Sequence, residues 1–302
     1  MLSSMRFCLA LAAIILSGPM LGQKVPPAPV QYIDHIMIRS DDPEALFALF
    51  SSTLQLPIAW PLGDRGGVVS GGVCFGNVNI EAIKFPGQIN DPTPTHLVGL
   101  ALKPSSLDQS LRELDRRGIA YGAPRPFVSV GPTGAKTTSF TNVTLQQLSD
   151  ADQPSDATIQ VFLSEYNPAY VDSAARRARL RDELIAKQGG PLGVVGVQEV
   201  TIGTVDLTGA NRAWQTLVSP APPSNVNLWR IGDGPAVRLV QSESNMIQGL
   251  VLAVTALPTA RDFLEKNGLL GTSSDTELVI VPSKVRGLNI RLVSEPTAST
   301  NQ

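Results

Sequence analysis

The first module of the chain reads YIDHIMI over residues 32–38 and then SDDPEALFALF over residues 40–50. The first stretch is rich in isoleucine and predicts a β-strand. The second predicts an α-helix, because Asp42 can cap the N-terminus, Pro43 suits the first turn and apolar residues recur at helical spacing. Three short β-type runs follow, at residues 66–70, 72–75 and 78–83. The segment therefore predicts a strand–helix–strand–strand–strand (βαβββ) unit.

The same order of elements recurs three more times. The later modules open with apolar runs at residues 96–102, 197–202 and 249–254. Helices are expected at about residues 105–118, 208–217 and 258–267. A doubly wound parallel sheet is the alternative for strands separated by helices. However, each unit has one helix for several strands, and no Gly-x-Gly-x-x-Gly turn follows a first strand. The sequence therefore predicts an α+β fold of four βαβββ modules.

A polar helix is predicted between the second and third modules, over about residues 168–188, followed by the loop GGPLG at 189–193. We interpret this stretch as the boundary between two paired halves. The expected domains are residues 30–166 for modules one and two, and 194–296 for modules three and four, with 167–193 as the linker. The linker helix should lie outside the sheets. Its arginines alternate with Ala and Leu and are interpreted as a solvated helix face; they are Arg176, Arg177, Arg179 and Arg181.

Composition limits the classes of partner. The chain of 302 residues is long enough for two domains of ordinary size or one large one, and at 43% hydrophobic and 17% charged it has enough apolar material for a core. A net charge of −2 gives no electrostatic reason to expect binding to nucleic acid or to an anionic membrane surface. Composition does not indicate an oligomeric state.

Residues 1–22 have the layout of a secretory signal peptide. Arg6 precedes an apolar run over residues 7–16, which is followed by Ser-Gly-Pro. A run of this length is too short for a bilayer, which takes about 20 residues. We expect export to the periplasm or the extracellular space, a mature N-terminus near Gln23 and no stable membrane insertion after cleavage. An uncleaved anchor is the alternative, because no clear small-x-small cleavage site is present.

Two isolated features of the first module have ordinary structural explanations. Cys74 is the only cysteine outside the first 22 residues, so the mature chain has no partner for an internal disulfide. Its apolar neighbours predict a buried thiol. Trp60, with the glycine-rich loop at residues 63–67, fits either a mobile rim of a binding site or a hairpin connection.

The pattern resembles the vicinal-oxygen-chelate superfamily of glyoxalases, bleomycin-resistance proteins and extradiol dioxygenases. The motifs that carry the resemblance are IDHIMI at the start of the first module and NVNIEAIKF at its end. The resemblance spans about residues 30–295 and is strongest in the first two modules. It implies two glyoxalase-like cupped sheets, each formed by two paired modules, and a small-molecule substrate or ligand.

The resemblance also implies a metal site. The only two histidines, His35 and His96, both lie in the first strand of a module, and the closing strands superpose Glu81 on Gln160. In the superfamily these four positions carry the ligands of a divalent metal. Two imidazoles and a carboxylate suit Zn, Ni, Mn or Fe(II). The alternative is that each histidine is a satisfied structural residue.

The implied function is that of a metal-dependent lyase or isomerase acting on a small substrate with vicinal oxygens. Gln160 departs from the glutamate often found in glyoxalases, and an amide cannot act as a general base. This departure favours a non-enzymatic binding module as the alternative. A ring-cleaving extradiol dioxygenase is less expected, because no third histidine is present to assist it.

The second half lacks this set of residues. Its corresponding positions are interpreted as Glu199, Arg238, Gln248 and Arg291. Arginine does not ligate metals in such sites. We therefore expect the second half to be a structural partner, or an anion-binding surface if the two arginines point into its cup.

Overall fold

The computed structural model describes residues 28–87, 95–130, 134–153, 155 and 157–296. This part of the chain has the predicted α+β fold, with fifteen strands and five α-helices. The first-half strands are β1 (Val30–Arg39), β2 (Ile58–Asp64), β3 (Val69–Cys74), β4 (Asn79–Lys84), β5 (His96–Pro104), β6 (Arg125–Val130), β7 (Lys136–Thr144) and β8 (Gln160–Tyr166). The second-half strands are β9 (Val194–Thr204), β10 (Leu228–Arg230), β11 (Ala236–Gln241), β12 (Met246–Val254), β13 (Leu270–Ser273), β14 (Glu277–Ile280) and β15 (Ile290–Ser294). The helices are α1 (Pro43–Ala48), α2 (Leu107–Arg117), α3 (Ser173–Ala186), α4 (Leu207–Val218) and α5 (Leu257–Lys266).

Three of the four modules are complete βαβββ units. They are β1–α1–β2–β3–β4, β5–α2–β6–β7–β8 and β12–α5–β13–β14–β15. The third module has only β10 and β11 after α4, so the prediction of a fourth strand there is wrong for the described residues. The stretch after α4 reads SPAPPS over residues 219–224. Its three prolines lack the N–H groups that a ladder needs, which explains the missing strand.

The modules pair as predicted, because their first strands lie side by side. Strand β1 runs antiparallel to β5, and β9 runs antiparallel to β12. The strand order is β2-β3-β4-β1-β5-β8-β7-β6 in the first half and β10-β11-β9-β12-β15-β14-β13 in the second. A bridge between Ile247 and Leu97 joins β12 to β5. The two expected sheets are therefore continuous, as one fifteen-stranded sheet.

Strand alternation separates two faces in the first half. Ile36 and Leu100 pack in the main hydrophobic core with α1 and α2. Met37, Ala101 and Phe162 form a smaller cluster on the other face. We call this second face, which also carries His35, the inner face. Because the module helices cover only the outer face, the inner face is available to form a site.

The two halves are joined by a turn that follows β3. The side chain of Asn77 bonds both backbone groups of Val197 in β9, donating to its carbonyl and accepting from its N–H, each at 2.9 Å. Gly76, with φ of 89°, lies so close that a Cβ would sit 2.2 Å from the carbonyl oxygen of Val195. Only glycine therefore fits at this contact.

Helix α3 lies within the predicted linker helix and packs against β2 and β3. In the described part of the chain, no helix combines the length and the apolar character needed to cross a membrane. The predicted signal peptide lies outside the described residues.

We expect Gly76→Ala to destabilise the protein more than Gly87→Ala. The two glycines have similar φ values of 89° and 84°, but a Cβ on Gly87 meets no atom within 4 Å. Gly87→Ala is therefore the control. Its free energy of unfolding should fall only by what a left-handed alanine costs, about 1–2 kcal/mol. Gly76→Ala adds a clash between the halves, which should cost about 1–3 kcal/mol more. Urea denaturation measures both values; equal losses would contradict the proposed role of this contact.

Candidate functional site

The site is centred on His35, which projects from β1 onto the inner face between two carboxylates. Its Nδ1 lies 2.9 Å from Oδ2 of Asp34, and its Nε2 lies 3.4 Å from Oε2 of Glu81. Strand β4 runs parallel to β1 with Glu81 opposite Met37, so Glu81 emerges on the same face. His35 and Glu81 are only 7% and 9% exposed. The fold therefore brings two of the four predicted ligands together.

Glu81 is held from the side of β2 and β3. The hydroxyl of Ser70 donates to Oε1 of Glu81. The indole Nε1 of Trp60 donates to the Ser70 oxygen at 3.1 Å. A Cβ on Gly72 would lie 2.5 Å from the Trp60 ring, so this glycine allows the indole to lie across β3. Trp60 thus belongs both to the β2–β3 hairpin and to the wall of the site.

Asp34 is held from the opposite side. The hydroxyl of Tyr166 donates to Oδ2 at 2.8 Å, and Nη2 of Arg176 lies 3.4 Å from Oδ1. Burial alone would raise the pKa of Asp34, but the bonds to His35, Arg176 and Tyr166 outweigh it and lower the pKa from 3.8 to about 2. Burial and the Asp34 charge raise the pKa of Tyr166 well above 10. Asp34 is therefore ionised and Tyr166 keeps its proton at neutral pH.

Aromatic rings close the remaining sides of the imidazole. The ring centroid of His35 lies 5.8 Å from Trp60 and 6.0 Å from Phe162, both edge-on. The guanidinium carbon of Arg176 lies 5.6 Å from the Trp60 ring centroid and 4.8 Å from that of Tyr166. The imidazole is thus bounded by carboxylates at both nitrogens and by rings at its sides.

The contacts of His35 require a cation. When Nδ1–H donates to Asp34, a neutral imidazole presents the lone pair of Nε2 to the Glu81 carboxylate. Two acceptors that face each other at 3.4 Å repel, unless a proton or a metal ion lies between them. The same spacing suits two neighbouring ligands at about 2.0–2.2 Å from a tetrahedral ion. The pair can therefore bind either a proton or a cation.

His96 lies away from this pair. The strand register places His96 opposite Arg39, four residues farther along β1 than His35, or about 13 Å along the strand. His35 lies seven residues before the helix cap Asp42, whereas the residue seven before the cap Ser106 is Gly99. The predicted equivalence of the two histidines is therefore wrong by three residues, because the counterpart of His35 relative to the helix cap is Gly99.

Gln160 also lies away from the pair. Its amide donates to the carbonyl of Asp152 at 2.9 Å and to Thr144 Oγ1 at 3.2 Å. Between it and Glu81 stand Met37 and Gly99 on two intervening strands, which puts the two Cα atoms about 14 Å apart.

The second module supplies no metal donors at the two positions that correspond to His35 and Glu81. By register these are Gly99 and Phe162. In the described part of the chain, no group of three or more His, Cys, Asp or Glu side chains is arranged to hold a metal ion. The donors present therefore do not fit the two-histidine, one-carboxylate centre that the resemblance implied. Metal binding stays a prediction, supported at His35 and Glu81 alone.

In the second half, the arginines are paired with carboxylates. Glu199 lies seven residues before the cap Asp206, as His35 does before Asp42. Arg238 lies 2.7 Å from Glu199, and Arg291 lies 2.9 Å from Glu277. Both arginines are thus engaged, which favours the structural partner over the anion-binding surface.

The fourth module differs from its predicted register by one residue. The residue seven before Ala256, the N-cap of α5, is Gly249 rather than Gln248. The amide of Gln248 donates to the Ser242 hydroxyl at 3.1 Å.

The contribution of α3 and β8 to the site was not predicted from the sequence. The alternation of arginine with Ala and Leu predicts a solvated helix face for Arg176, but its side chain is only 14% exposed and contacts Asp34, Trp60 and Tyr166. A clue was present in the spacing 173, 176, 177 and 180, which places Arg176 on the same helix face as the buried Leu180. The predicted solvated face is correct for Arg179, whose side chain is 58% exposed.

A cleft of about 560 Å³ opens beside Tyr166, between β7, β8 and the N-terminus of α3. Its walls include Lys103, Phe140, Asn167 and Ser173. This volume is suited to a small molecule. Tyr166 links the cleft to His35 through Asp34. Another cleft, of about 500 Å³, lies between α2 and α4 and contacts none of the residues around His35.

No protein-family model and no curated protein sequence matches the chain. Solved structures match its fold. A hypothetical protein from Staphylococcus aureus has a TM-score of 0.57 at 9% identity, over 88% of this chain and 100% of that one. Homoprotocatechuate 2,3-dioxygenase from Arthrobacter globiformis has a TM-score of 0.53 at 12% identity, over 91% and 84%. A variant of the Brevibacterium fuscum enzyme has a TM-score of 0.54 at 11% identity, over 92% and 75%.

At these identities the likeness concerns the fold alone. The chain therefore has the α+β fold of the vicinal-oxygen-chelate proteins, to which these extradiol dioxygenases belong, and the predicted fold class is confirmed.

We expect Asp34→Asn to lose stability at neutral pH but little at pH 2. A folded pKa of about 2 against an ordinary 3.8 means that ionised Asp34 stabilises the fold above about pH 4, and that this contribution is lost as pH falls toward 2. This difference between the two pKa values corresponds to roughly 2 kcal/mol of folding stability at pH 7. Urea denaturation at both pH values measures it, with the exposed Asp275→Asn as control. A deficit of equal size at pH 2 and pH 7 would refute the assignment.

Proposed function

We propose that the inner face of the first half binds a small molecule with neighbouring oxygen atoms, anchored by the His35–Glu81 pair. The observation that carries the proposal is the buried pair itself, with Nε2 of His35 and Oε2 of Glu81 3.4 Å apart. A ligand hydroxyl can donate a proton into this gap. Trp60 and Phe162 provide flat apolar walls beside it, and a cleft of suitable volume, lined by Tyr166 but not by the pair itself, lies next to the site.

We favour binding without turnover. The superfamily's metal chemistry draws donors from both modules of a half, and here the second module carries Gly99 and Phe162 at those positions. Two protein donors leave a divalent ion weakly held. The site resembles in this respect the ligand-holding members of the superfamily rather than its lyases.

A metal-dependent lyase or isomerase is the second candidate. Its support is that Asp34 fixes the orientation of His35 through Nδ1, as carboxylates do behind metal-bound histidines. His35 and Glu81 would hold the ion. A bound divalent ion would polarise the vicinal oxygens of a substrate. Ring cleavage, which the neighbouring dioxygenases perform, has less support because the second histidine lies away from the pair.

Metal content and ligand affinity together distinguish these candidates. The probe is 3,4-dihydroxyphenylacetate, which is bound in the substrate complex of the Brevibacterium fuscum enzyme. We expect calorimetry to detect binding that EDTA does not change, together with well under one Zn, Mn, Ni or Fe per chain by mass spectrometry. His35→Ala should weaken binding about 10- to 100-fold, because it removes a hydrogen bond to a charged site.

His96→Ala is the matched control and should bind the probe like the unmodified protein. Stoichiometric metal that is lost in His35→Ala but kept in His96→Ala would establish the second candidate instead. If neither 3,4-dihydroxyphenylacetate nor catechol binds to the unmodified protein or to either variant, the binding proposal is overturned.

We also propose that the protein is exported. The support is the arrangement of residues 1–22, with a positive charge, an apolar core and a polar exit. The expected result is that chain recovered from the periplasm or medium begins near Gln23 by N-terminal sequencing. Recovery of chain beginning at Met1 or Leu2 in the cytosolic fraction alone would refute export.

A further inference from the structure

We infer that α3 is a displaceable cover over the His35–Glu81 site, and that Asp233 of the second half latches it closed. The inference rests on the proposed function, because a cover regulates access only if the face beneath it binds a ligand.

The N-terminal half of α3 lies directly over the site. Arg176 reaches Asp34 at 3.4 Å and stacks over the rings of Trp60 and Tyr166. One turn later, Leu180 packs against Ala59 and Cys74 on the same side of the sheet. A ligand approaching His35 from the cleft at Tyr166 therefore meets the first two turns of α3.

The cover adheres mainly through polar contacts. Of the fourteen residues of α3, only Leu180 and Leu184 are buried. The ion pairs of Arg177 and Arg181 with Asp233 lie at a partly exposed surface, where such pairs are individually weak, and segments with little buried apolar area open more readily than a core. The structure therefore favours local opening of α3 without unfolding of the sheet.

The C-terminal end of the helix is fixed, so the N-terminal half is the part that can move. Leu184 belongs to the main hydrophobic core. Just beyond the helix, Gly190 packs so closely that a Cβ would lie 2.2 Å from the carbonyl oxygen of Leu54. Lifting the N-terminal half would join the 560 Å³ cleft, which Ser173 lines, to the space beside His35.

A single carboxylate of the second half holds the middle of α3, where this movable part ends. Asp233 accepts from Nη2 of Arg177 at 2.7 Å through Oδ1 and from Nη2 of Arg181 at 3.0 Å through Oδ2. The two arginines are one helical turn apart, so one aspartate fixes the rotation of the helix as well as its position. Arg177 also donates to the carbonyl of Asn77 at 3.1 Å, in the turn that joins the two halves. The second half thus controls access to a site in the first.

Hydrogen–deuterium exchange of the whole protein tests the latch without any ligand. In Asp233→Asn, we expect peptides covering residues 173–181 to exchange roughly three- to tenfold faster, as loss of two partly exposed ion pairs implies. Peptides from β1 and β9 should be unchanged. Asp275→Asn, which removes an exposed carboxylate elsewhere in the second half, is the matched control. Arg181→Gln, which removes one of the two bonds, should give a smaller increase and serves if Asp233→Asn does not fold.

Equal exchange of residues 173–181 in Asp233→Asn and the control would overturn the latch. Stopped-flow binding of 3,4-dihydroxyphenylacetate then tests the cover, and Asp233→Asn should associate severalfold faster than the control. Faster exchange with unchanged association would overturn the cover. Faster exchange with no binding to any form would overturn the proposed function and leave the latch supported.

Discussion

The His35 imidazole, held at both nitrogens by buried carboxylates, is the contact on which the arrangement of the first half depends. A continuous series of polar contacts runs through it and joins β2, β3, β4, β1, β8 and α3. Its members in order are Trp60, Ser70, Glu81, His35, Asp34, Tyr166 and Arg176. Buried polar groups are costly unless each finds a partner, and in a low-dielectric setting their mutual bonds are strong. The network therefore fixes the relative positions of the five strands, and its two longest contacts, at 3.4 Å each, are the one between His35 and Glu81 and the one by which Arg176 attaches α3 to Asp34.

Local signals in the sequence predicted the fold well and the site only in part. The capping residue Asp42 accepts from the Ala45 N–H at 3.0 Å, as the sequence indicated, and the first strands of the modules pair as expected. The site depends on which residues are equivalent between modules. His96 lies three residues before the position that is equivalent to His35, so the two histidines do not meet. A register irregularity near Ile38 in the β1–β5 ladder makes such counting from strands unreliable. The role of Arg176 could not be predicted from periodicity, because it is set by the packing of a linker helix on a distant sheet.

The two halves depart from internal symmetry in the same way. The first module carries the facing pair His35 and Glu81, and the third carries the ion pair Glu199 and Arg238 in corresponding places. The second and fourth modules have glycine at the position that corresponds to His35 in the first module and Glu199 in the third. A Cβ at Gly249 would lie 2.7 Å from the Asn289 carbonyl oxygen, so close packing excludes a side chain there. Each half thus has one polar pair rather than two. In the second half a fixed ion pair fills the place, whereas in the first half the pair still needs a proton or a cation.

The position of Cys74 has a consequence for how opening of the inner face would appear chemically. This thiol lies under Leu180, and burial raises its pKa above the ordinary value, so it is shielded and poorly ionised while the helix is seated. The thiolate is the reactive form of cysteine. A thiol that is sealed in this way is protected from mixed disulfides. Cys74 can therefore report on this motion, because the rate at which an alkylating reagent modifies its thiol depends on how often α3 lifts.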